Sequence, residues 1–518
     1  MNTMRLNEGG QIDRSRPLNF QFNGKSYTGY QGDTLASALL ANGVQVMARS
    51  FKYHRPRGPL SAGSEESNAL VQLETGGRTV PNCPATMVEL YDGLVANSQH
   101  CWPSVNFDIG AVTNYFARLF PAGFYYKTFM WPKSLWMTYE EIIRGSAGLG
   151  ESPRENDPNH YDHQHCYCDI LVVGAGASGI SAALSAAESG AQVMLVDEHA
   201  HWGGSLANQT QSINEHRALQ WVDKTVKKLS KLDNVQLLNR TTVTGYFHHN
   251  YLVANQRISH HLGPDAPAEL PRERLWKIRA RKVVLATGAI ERPLVFADND
   301  RPGIMLANAV RTYLNRYGVL PGKNIAILTN NNTAYALARE AASAGARITV
   351  LDTREDVPEK YQRLADDMGF QIRSRQTITG VRYGRKLTGI QVATLNREGT
   401  DISSNTETIA VDLVAVSGGW NPMLSLYSQA GGKLIYDESR YIFIADPDQA
   451  LKPDALLAGR CNGAFTLKAR LREGMEAGVA AATACGLEGR ATEAPAVSPT
   501  MFVGGDIRPL WVLPCTHP

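Results

Sequence analysis

A short glycine-rich segment carries the clearest chemical signal in this sequence. Residues 174–179 read GAGASG, a spacing at which a chain folds around the phosphates of a dinucleotide. In that spacing Gly174 permits a tight turn, Gly176 lets the backbone approach a pyrophosphate, and Gly179 lets a helix pack closely on a strand. The phosphates then lie at the helix N-terminus, where free N–H groups and the positive end of the helix dipole face them. The motif is weak by itself, so its flanking residues decide its meaning.

The residues around the glycines have the pattern of a strand–helix–strand unit. Asp169–Val173 are largely apolar and β-branched, which is typical of a buried parallel strand. An alanine-rich helix follows from Ile180, and a second strand over residues 192–197 ends in Asp197, 23 residues after the first glycine. This carboxylate is placed to accept hydrogen bonds from an adenosine ribose, and it disfavours a 2′-phosphate there. The pattern predicts a dinucleotide-binding site.

A later segment bears on which dinucleotide is bound. Flavoproteins of this architecture carry a Gly-Asp pair whose Asp contacts the ribityl and phosphate region of the flavin. The matching residues here are Gly459 and Arg460, so that Asp is missing. We therefore expect NAD rather than FAD in this pocket, while the sequence alone leaves both open. A disulfide reductase would need a C-x-x-C pair, and this sequence contains none. No catalytic residues stand out.

A second unit of the same kind begins near Lys323, but its loop is different. The strand over residues 323–328 is followed by the sequence TNNNT at 329–333, where glycines would be expected. Asparagine adopts left-handed backbone more readily than most residues, so a turn can form. Its side chains would still crowd a pyrophosphate. We interpret this unit as a domain kept for structure.

The N-terminal residues predict a small separate domain. Leu18–Phe22 has the alternation of a strand, and Asn23-Gly24 is a strong hairpin signal. A helix is expected from Thr34 to Ala41, and a further strand over Ala69–Leu73. Strands and one helix in this order suit a β-grasp domain.

Together these elements predict an α/β protein. A ferredoxin-like β-grasp domain would precede a flavoprotein-type Rossmann fold with two dinucleotide-binding domains. The predicted boundaries are 1–100 for the β-grasp domain, 101–165 for a connecting segment and linker, 166–317 with 408–490 for the first dinucleotide-binding domain, 318–407 for the inserted degenerate domain and 491–518 for a C-terminal stub.

The connecting segment is rich in aromatic residues. Ten of the chain's 42 aromatic residues fall between Tyr115 and Tyr139. They indicate either a segment packed on the next domain or a surface that contacts another subunit, where aromatic residues are enriched. The linker over residues 153–165 leads to Cys166 and Cys168, whose spacing does not favour a zinc site.

Composition excludes several classes of function. The net charge of +3 over 518 residues gives no reason to expect nucleic acid or an anionic membrane as a partner. No run of about 18 apolar residues predicts a membrane span. The seven cysteines are scattered and odd in number, which favours a reducing compartment, so we expect a cytoplasmic protein.

Several longer segments resemble the alpha-subunit family of heterotetrameric sarcosine oxidases. They read GDTLASALLANG at 32–43, RSFKYHRPRG at 49–58, GFYYKTFMWP at 123–132 and ERP at 291–293. The resemblance extends from about residue 16 to about residue 511. In that family the alpha subunit binds NAD, the beta subunit holds FAD and oxidises the amine, and FMN lies near the alpha–beta contact. The resemblance thus implies beta, gamma and delta subunits as partners and a small amine as substrate.

The resemblance also implies which residues form the NAD pocket. By analogy with the family these are Gly174, Gly176, Ser178, Gly179, Asp197, Glu198, Ser205, Val243 and Thr466. The segment Phe465–Leu467 would close the pocket.

Two departures from the related families lead to further expectations. Relatives among opine and hydrogen-cyanide-forming oxidases bind a [2Fe–2S] cluster through C-x₄-C-x₂-C. Ser61, Glu66 and Ala69 occupy those positions here, with Cys83 a remnant of the fourth ligand, so we expect a cluster-free domain and no iron–sulfur cluster. The family's folate-binding half would begin where this sequence ends, so we expect that half to be absent.

Three functions are compatible with these observations. The leading hypothesis is an NAD-binding subunit of a complex that demethylates sarcosine to glycine, formaldehyde and hydrogen peroxide on a partner flavin subunit. The alternatives are a self-sufficient FAD-dependent amine or opine dehydrogenase and a non-catalytic NAD-binding scaffold. The colour of the purified chain distinguishes the FAD-dependent dehydrogenase from the other two functions, since FAD absorbs visible light and NAD does not.

Overall fold

The computed structural model describes residues 4–119, 131–148, 150, 152–449, 454–490, 493–502 and 505–515. Within these ranges no helix is both long enough and apolar enough to cross a membrane. Three sheets organise the chain: one in the N-terminal domain, one in the first dinucleotide-binding domain and one in the inserted domain.

A five-stranded sheet forms the N-terminal domain. Its strands lie in the order Lys25–Gln31, Asp13–Phe22, Val95–Ser98, Leu70–Leu73 and Val80–Pro84. Helix Leu35–Ala41 is buried along its whole length. Thr34 caps this helix, because its side chain accepts a hydrogen bond from Ser37 N at 3.2 Å. The predicted strand–turn–strand–helix order is present.

The first dinucleotide-binding domain has a seven-stranded sheet. Its strands lie in the order Val235–Leu238, Val193–Val196, Tyr161–Val173, Glu273–Leu285, Tyr251–Arg257 and Thr241–Phe247, with Ala455–Leu457 beside Glu273–Leu285. The strand that leads into the glycine loop pairs in parallel with both of its neighbours. It begins at Tyr161, so the end of the predicted linker belongs to this sheet.

Two helices cross at very short range on this sheet. They are Ala177–Glu188, which follows the glycine loop, and Leu467–Ala484 near the end of the domain. A Cβ added at Gly474 would lie 2.1 Å from Ser178 O, and one at Gly478 would lie 2.3 Å from Ala182 O. Only glycine permits this approach, and it fixes the second helix against the glycine loop. Helix Ala218–Leu229 packs on the same face.

The inserted domain is built on a parallel five-stranded sheet. Its strands lie in the order Ile304–Leu306, Leu413–Ser417, Asn324–Thr329, Arg347–Asp352 and Gln371–Ser374. Helices Ala307–Tyr317, Tyr335–Ser343 and Glu359–Met368 accompany it, and strands Gln376–Tyr383, Leu387–Leu395 and Ile402–Ile409 form a separate antiparallel sheet. The parallel sheet therefore reaches outside residues 318–407 on both sides.

The C-terminal segment, residues 505–515, lies across the carboxyl ends of these parallel strands. Asn330 Nδ2 donates to Arg508 O at 2.9 Å and to Leu510 O at 3.3 Å. Asn332 Nδ2 donates to Asp506 Oδ2 at 3.0 Å. In open parallel sheets this edge is where ligands bind. Here residues 505–515 occupy this edge, and Asn330 and Asn332 of the TNNNT loop contact them.

The remaining elements lie outside these sheets. Four two-stranded ladders pair Ala48–Arg49 with Pro56–Arg57, Ser212–Ile213 with His216–Arg217, Ala289–Glu291 with Trp420–Pro422 and Leu434–Asp437 with Ile442–Ala445. The further α-helices are Trp136–Ala147 and Ser425–Gln429, and several 3-10 helices connect the larger elements.

Three of the described aromatic residues of the connecting segment are exposed, namely Tyr115, Phe116 and Trp131, whereas Trp136 and Tyr139 are half-buried. Tyr115 is 87% exposed and Trp131 is 83% exposed. Those from Phe120 to Phe129 lie outside the described residues. The exposed rings favour the contact-surface interpretation, and both interpretations of the segment stay predictions.

Candidate functional site

A cavity of about 620 Å³ lies at the glycine loop. Its wall combines the loop with residues 241–244 of the same sheet, residues 458–470 near the end of the domain, and Ala62–Glu65 of the N-terminal domain. Every residue predicted for the NAD pocket lines this cavity except Gly179 and Thr466. The fold thus brings together residues that are more than 200 positions apart in the sequence.

The three glycines of the loop have different surroundings. Gly174 has φ +96°, and a Cβ there would lie 2.5 Å from Ala286 O. A Cβ on Gly179 would lie 1.7 Å from Gly174 O, so this glycine is required by packing under the loop. An added Cβ on Gly176 would meet no atom within 4 Å, and no side chain caps the helix that begins there. The open space at Gly176 is where a ligand can reach the helix N-terminus.

Asp197 is bound to the loop that precedes it. Its Oδ2 accepts a hydrogen bond from Ala175 N at 2.7 Å, and its Oδ1 accepts one from His199 N at 2.9 Å. Glu198 is more exposed and accepts one from Ser64 Oγ at 2.9 Å. Asp197 therefore holds the glycine loop in shape, and Glu198 presents the more accessible carboxylate.

Two histidines follow these carboxylates on the cavity wall. Burial lowers the pKa of His201 well below its ordinary value, and the positive charge of Arg316 acts in the same direction. Burial also tends to lower the pKa of His199, but the hydrogen bond that its ring donates to Asp197 and the negative charge of that carboxylate outweigh burial, so this pKa is raised. The two rings lie 5.3 Å apart. Sequence reasoning missed both residues, because a histidine in a loop carries no signal of its own.

The opposite wall is cationic. Arg460 and Arg470 both line the cavity, and Arg470 Nη1 donates to Ser205 Oγ at 3.2 Å. Arg470 was not predicted. For Arg460 the sequence did carry a signal, since this residue stands where flavoproteins have an acidic residue.

Of the other predicted residues, Val243 lines the cavity and Thr466 does not. Val243 lines it from strand Thr241–Phe247. Thr466 lies just outside and caps helix Leu467–Ala484, because its Oγ1 accepts a hydrogen bond from Ala469 N at 3.2 Å. Its position fixes the start of the helix that carries Arg470.

A buried carboxylate lies behind the wall, next to the inserted domain. Glu291 Oε2 accepts a hydrogen bond from Asn308 N at 2.6 Å, and Asn308 lines the cavity. Burial raises the pKa of Glu291 to about 7. Before the fold is known, only the ERP segment at 291–293 draws attention to this residue.

The histidines and cysteines of the predicted linker form no metal centre in the part of the chain that the structure describes. No group of three or more His, Cys, Asp or Glu side chains is arranged there to hold a metal ion.

Two family models match this chain. Residues 15–101 match the family described as "2Fe-2S iron-sulfur cluster binding domain", and residues 168–484 match the family described as "Pyridine nucleotide-disulphide oxidoreductase". The second match covers the inserted domain, most of the seven-stranded sheet and the cavity wall except Ala62–Glu65. It supports the predicted Rossmann fold with two dinucleotide-binding domains.

The first match corrects a prediction. The expectation of a cluster-free domain and of no iron–sulfur cluster is wrong, because residues 15–101 match a [2Fe–2S] cluster-binding family. The expectation rested on Ser61, Glu66 and Ala69, whereas the match extends over the whole of residues 15–101. At these positions the Glu66 carboxylate accepts hydrogen bonds from Ser61 N at 2.7 Å and Ala69 N at 3.0 Å.

The chain is similar in sequence to alpha subunits of sarcosine oxidases. It is 46% identical to that of Rhizobium meliloti (strain 1021), over 86% of this chain and 44% of the relative. It is 37% identical to that of Corynebacterium sp. (strain P-1), over 97% of this chain and 47% of the relative. These findings confirm the predicted resemblance. The chain spans about half the length of the curated relatives it matches.

A solved structure shares the fold. The L-proline dehydrogenase from P. horikoshii superposes with a TM-score of 0.61 at 20% identity, covering 92% of this chain and 75% of that one. At this identity the similarity concerns the fold alone.

Proposed function

Because this chain belongs to the pyridine nucleotide-disulphide oxidoreductase family, we propose that it is the dinucleotide-binding, alpha-type subunit of a sarcosine oxidase-type complex. Amine oxidation then takes place on a partner flavin subunit, and NAD is the dinucleotide in this chain. The single observation that carries the proposal is the cavity at Gly176, where a helix N-terminus without a side-chain cap faces open space.

The residues around the cavity suit the parts of NAD. The N–H groups at Gly176 and Ser178 would receive the pyrophosphate, and Glu198 would accept hydrogen bonds from the adenosine ribose. Asp197 would hold the loop that receives the phosphates, through its bond from Ala175 N. When bound, NAD can accept or donate a hydride at its nicotinamide ring.

The choice of NAD over FAD rests on the charge at Arg460. In this pocket a guanidinium replaces the acidic residue that faces the ribityl chain of a flavin. A guanidinium has no acceptor, so it cannot receive hydrogen bonds from ribityl hydroxyls. We place flavin, as FAD or FMN, in the partner subunit or at its contact with this chain.

The reaction proposed for the complex is that of the sarcosine oxidases. Sarcosine, water and dioxygen would give glycine, formaldehyde and hydrogen peroxide. The electron pair of a methyl C–H bond would pass to the flavin and then to dioxygen, and water would hydrolyse the resulting C=N bond. The exposed rings of Tyr115 and Trp131 support a partner that covers them. Beta, gamma and delta subunits are the partners we propose.

A pair of matched variants tests the site. Gly176→Val fills the space through which the pyrophosphate approaches, so purified protein should lose its nucleotide. Gly384→Val is the control, because a Cβ there also meets no atom within 4 Å and lies far from the cavity. Chromatography of the extracted nucleotide should show NAD in the wild type and the control only. Equal nucleotide content in all three proteins would exclude this site.

Co-expression tests the complex. The chain alone should release no peroxide from sarcosine, and turnover should begin when a flavin-binding beta-type subunit is added. Turnover by a yellow lone chain would instead support the self-sufficient FAD-dependent dehydrogenase. Stable assembly without any turnover would support a scaffold.

A further inference from the structure

Two arginines on the cavity wall, one buried and one half-buried, are paired with no carboxylate at hydrogen-bond distance in the part of the chain that the structure describes. Arg470 is 5% exposed, and its Nε has no hydrogen-bond partner. The Nε of Arg460 is likewise without a partner, and its guanidinium lies 4.5 Å from the centre of the Trp420 ring. Within the described ranges neither guanidinium forms an ion pair with a carboxylate at hydrogen-bond distance. A buried charge left in this state destabilises the fold, so it indicates a ligand of opposite charge.

The two arginines also act on each other. Burial lowers the pKa of Arg470 well below its ordinary value, and the charge of Arg460 lowers it further. Burial lowers the pKa of Arg460 to about 10, and the charge of Arg311 acts in the same direction, while the nearby charge of Glu291 opposes them. Each guanidinium would be stabilised by an anion placed between them.

Their position identifies where that anion lies. Arg470 donates to Ser205, which lines the cavity beside the glycine loop. A Cβ on Gly459 would lie 2.1 Å from Ser178 Oγ and 4.0 Å from Arg470 Cγ, so Gly459 separates the first turn of the loop helix from the arginine. The free N–H groups at Gly176 and the orphaned guanidinium therefore border the same space.

We propose that Arg470, assisted by Arg460, binds the pyrophosphate of an adenine dinucleotide opposite the helix N-terminus. This inference rests on the proposed function, since it takes the cavity at Gly176 as the dinucleotide site. The pyrophosphate carries two negative charges, which match the two cations. Adenosine alone carries none. The pocket thus selects ligands by their diphosphate, and the adenosine end contributes through Glu198.

The test compares ligands that differ in phosphate. Binding of adenosine, ADP, ADP-ribose and NAD to nucleotide-depleted full-length protein is measured by calorimetry. Arg470→Met, which keeps the bulk of the side chain and removes its charge, should weaken ADP, ADP-ribose and NAD by about 10- to 100-fold. Adenosine binding should stay within about twofold of wild type. Arg460→Met should give a smaller loss, and Arg472→Met on the exposed side of the same helix should give none.

A stability measurement distinguishes a binding role from a structural one. Without ligand, Arg470→Met should unfold at a higher temperature than wild type, because an uncompensated buried charge is gone. Its temperature shift on adding ADP-ribose should be smaller. Equal affinity of wild type and Arg470→Met for ADP-ribose would overturn the inference and leave the proposed site standing. A lower unfolding temperature together with lost adenosine binding would also overturn it. Failure of the wild type to bind any of the four ligands would refute the proposed function itself.

Discussion

The two parallel sheets of this chain share an architecture but differ at the edge where such sheets bind ligands. In the first, the carboxyl ends of the strands face a cavity of about 620 Å³. In the inserted domain the corresponding edge is covered by residues 505–515, held by Asn330 and Asn332. The fold supplies a possible site in both sheets, and loop residues and neighbouring segments decide whether that site is open.

The acidic residue at the end of the second strand shows the same contrast. Asp197 lines the cavity while it holds the glycine loop through Ala175 N. Asp352, its counterpart, is fully buried and accepts hydrogen bonds from Arg354 Nη2 and from Tyr335 Oη, both at 2.7 Å. A ribose could not reach Asp352. Asp197 thus belongs to the cavity wall, whereas Asp352 belongs to the buried core.

The largest expected effect concerns this pair of carboxylates. Asp352→Ala leaves Arg354 buried without its counter-charge, which should destabilise the protein by about 3–5 kcal/mol. Its nucleotide content should not change. Asp197→Ala should empty the cavity, because the glycine loop loses the bond to Ala175. Denaturant unfolding and nucleotide extraction on both variants check the contrast. Loss of nucleotide from Asp352→Ala in folded protein would contradict it.

The next effect lies in the glycine loop. Gly179→Ala forces a Cβ to 1.7 Å from Gly174 O, so the helix must move away from the strand. We expect a cost of about 3 kcal/mol or more, seen as a lower unfolding midpoint, with loss of bound nucleotide. Gly384→Ala is the control, since its new Cβ would meet no atom within 4 Å. Similar midpoints for the two variants would show that the loop packs less tightly than the structure indicates.

A smaller effect is expected at the covered edge. Asn330→Ala removes two hydrogen bonds to the C-terminal segment, each worth about 1 kcal/mol. Amide hydrogen exchange of residues 505–515 should become faster, while the exposed Asn405→Ala should leave it unchanged. The variant should still bind no second dinucleotide, because Asn331 and Asn332 continue to fill the loop. A second equivalent of bound NAD would instead reveal a latent site.

A pH dependence is expected at the boundary between the two domains. The pKa of Glu291 is raised to about 7 by burial, so the folded protein binds a proton there that the unfolded chain releases near its ordinary value of 4.5. This contribution to stability is present below pH 4.5 and is lost as the pH rises through about 7. Glu291→Gln should flatten that decline. Unfolding midpoints between pH 5 and 8 check it, with the exposed Glu359→Gln as the control. Parallel profiles for wild type and Glu291→Gln would contradict the assignment.

Sequence patterns predicted the local elements well wherever neighbouring residues determine them. The glycine spacing and the apolar strand before it predicted the loop helix Ala177–Glu188 and the strand that ends at Val196. The resemblance to alpha subunits was confirmed over most of the chain. The assignment of the predicted residues to NAD stays a prediction.

The prediction that the N-terminal domain is cluster-free was wrong. It weighed three positions, Ser61, Glu66 and Ala69, against a pattern that extends over residues 15–101. Side chains at single positions report on local chemistry, whereas the order of strands and the buried helix Leu35–Ala41 report on the family. The two kinds of information have to be weighed separately.

By itself, the sequence determined the kind of fold, the place of the glycine loop and the acidic residue that follows the second strand. These depend on residues close together along the chain, whose periodicity and turn preferences act locally. Only the tertiary structure decided that Arg470 faces the glycine loop, that Asp197 is bound to Ala175, and that residues 505–515 cover the inserted sheet. Each of these depends on packing between distant segments, and the charge of a buried arginine matters only once the fold has excluded water around it.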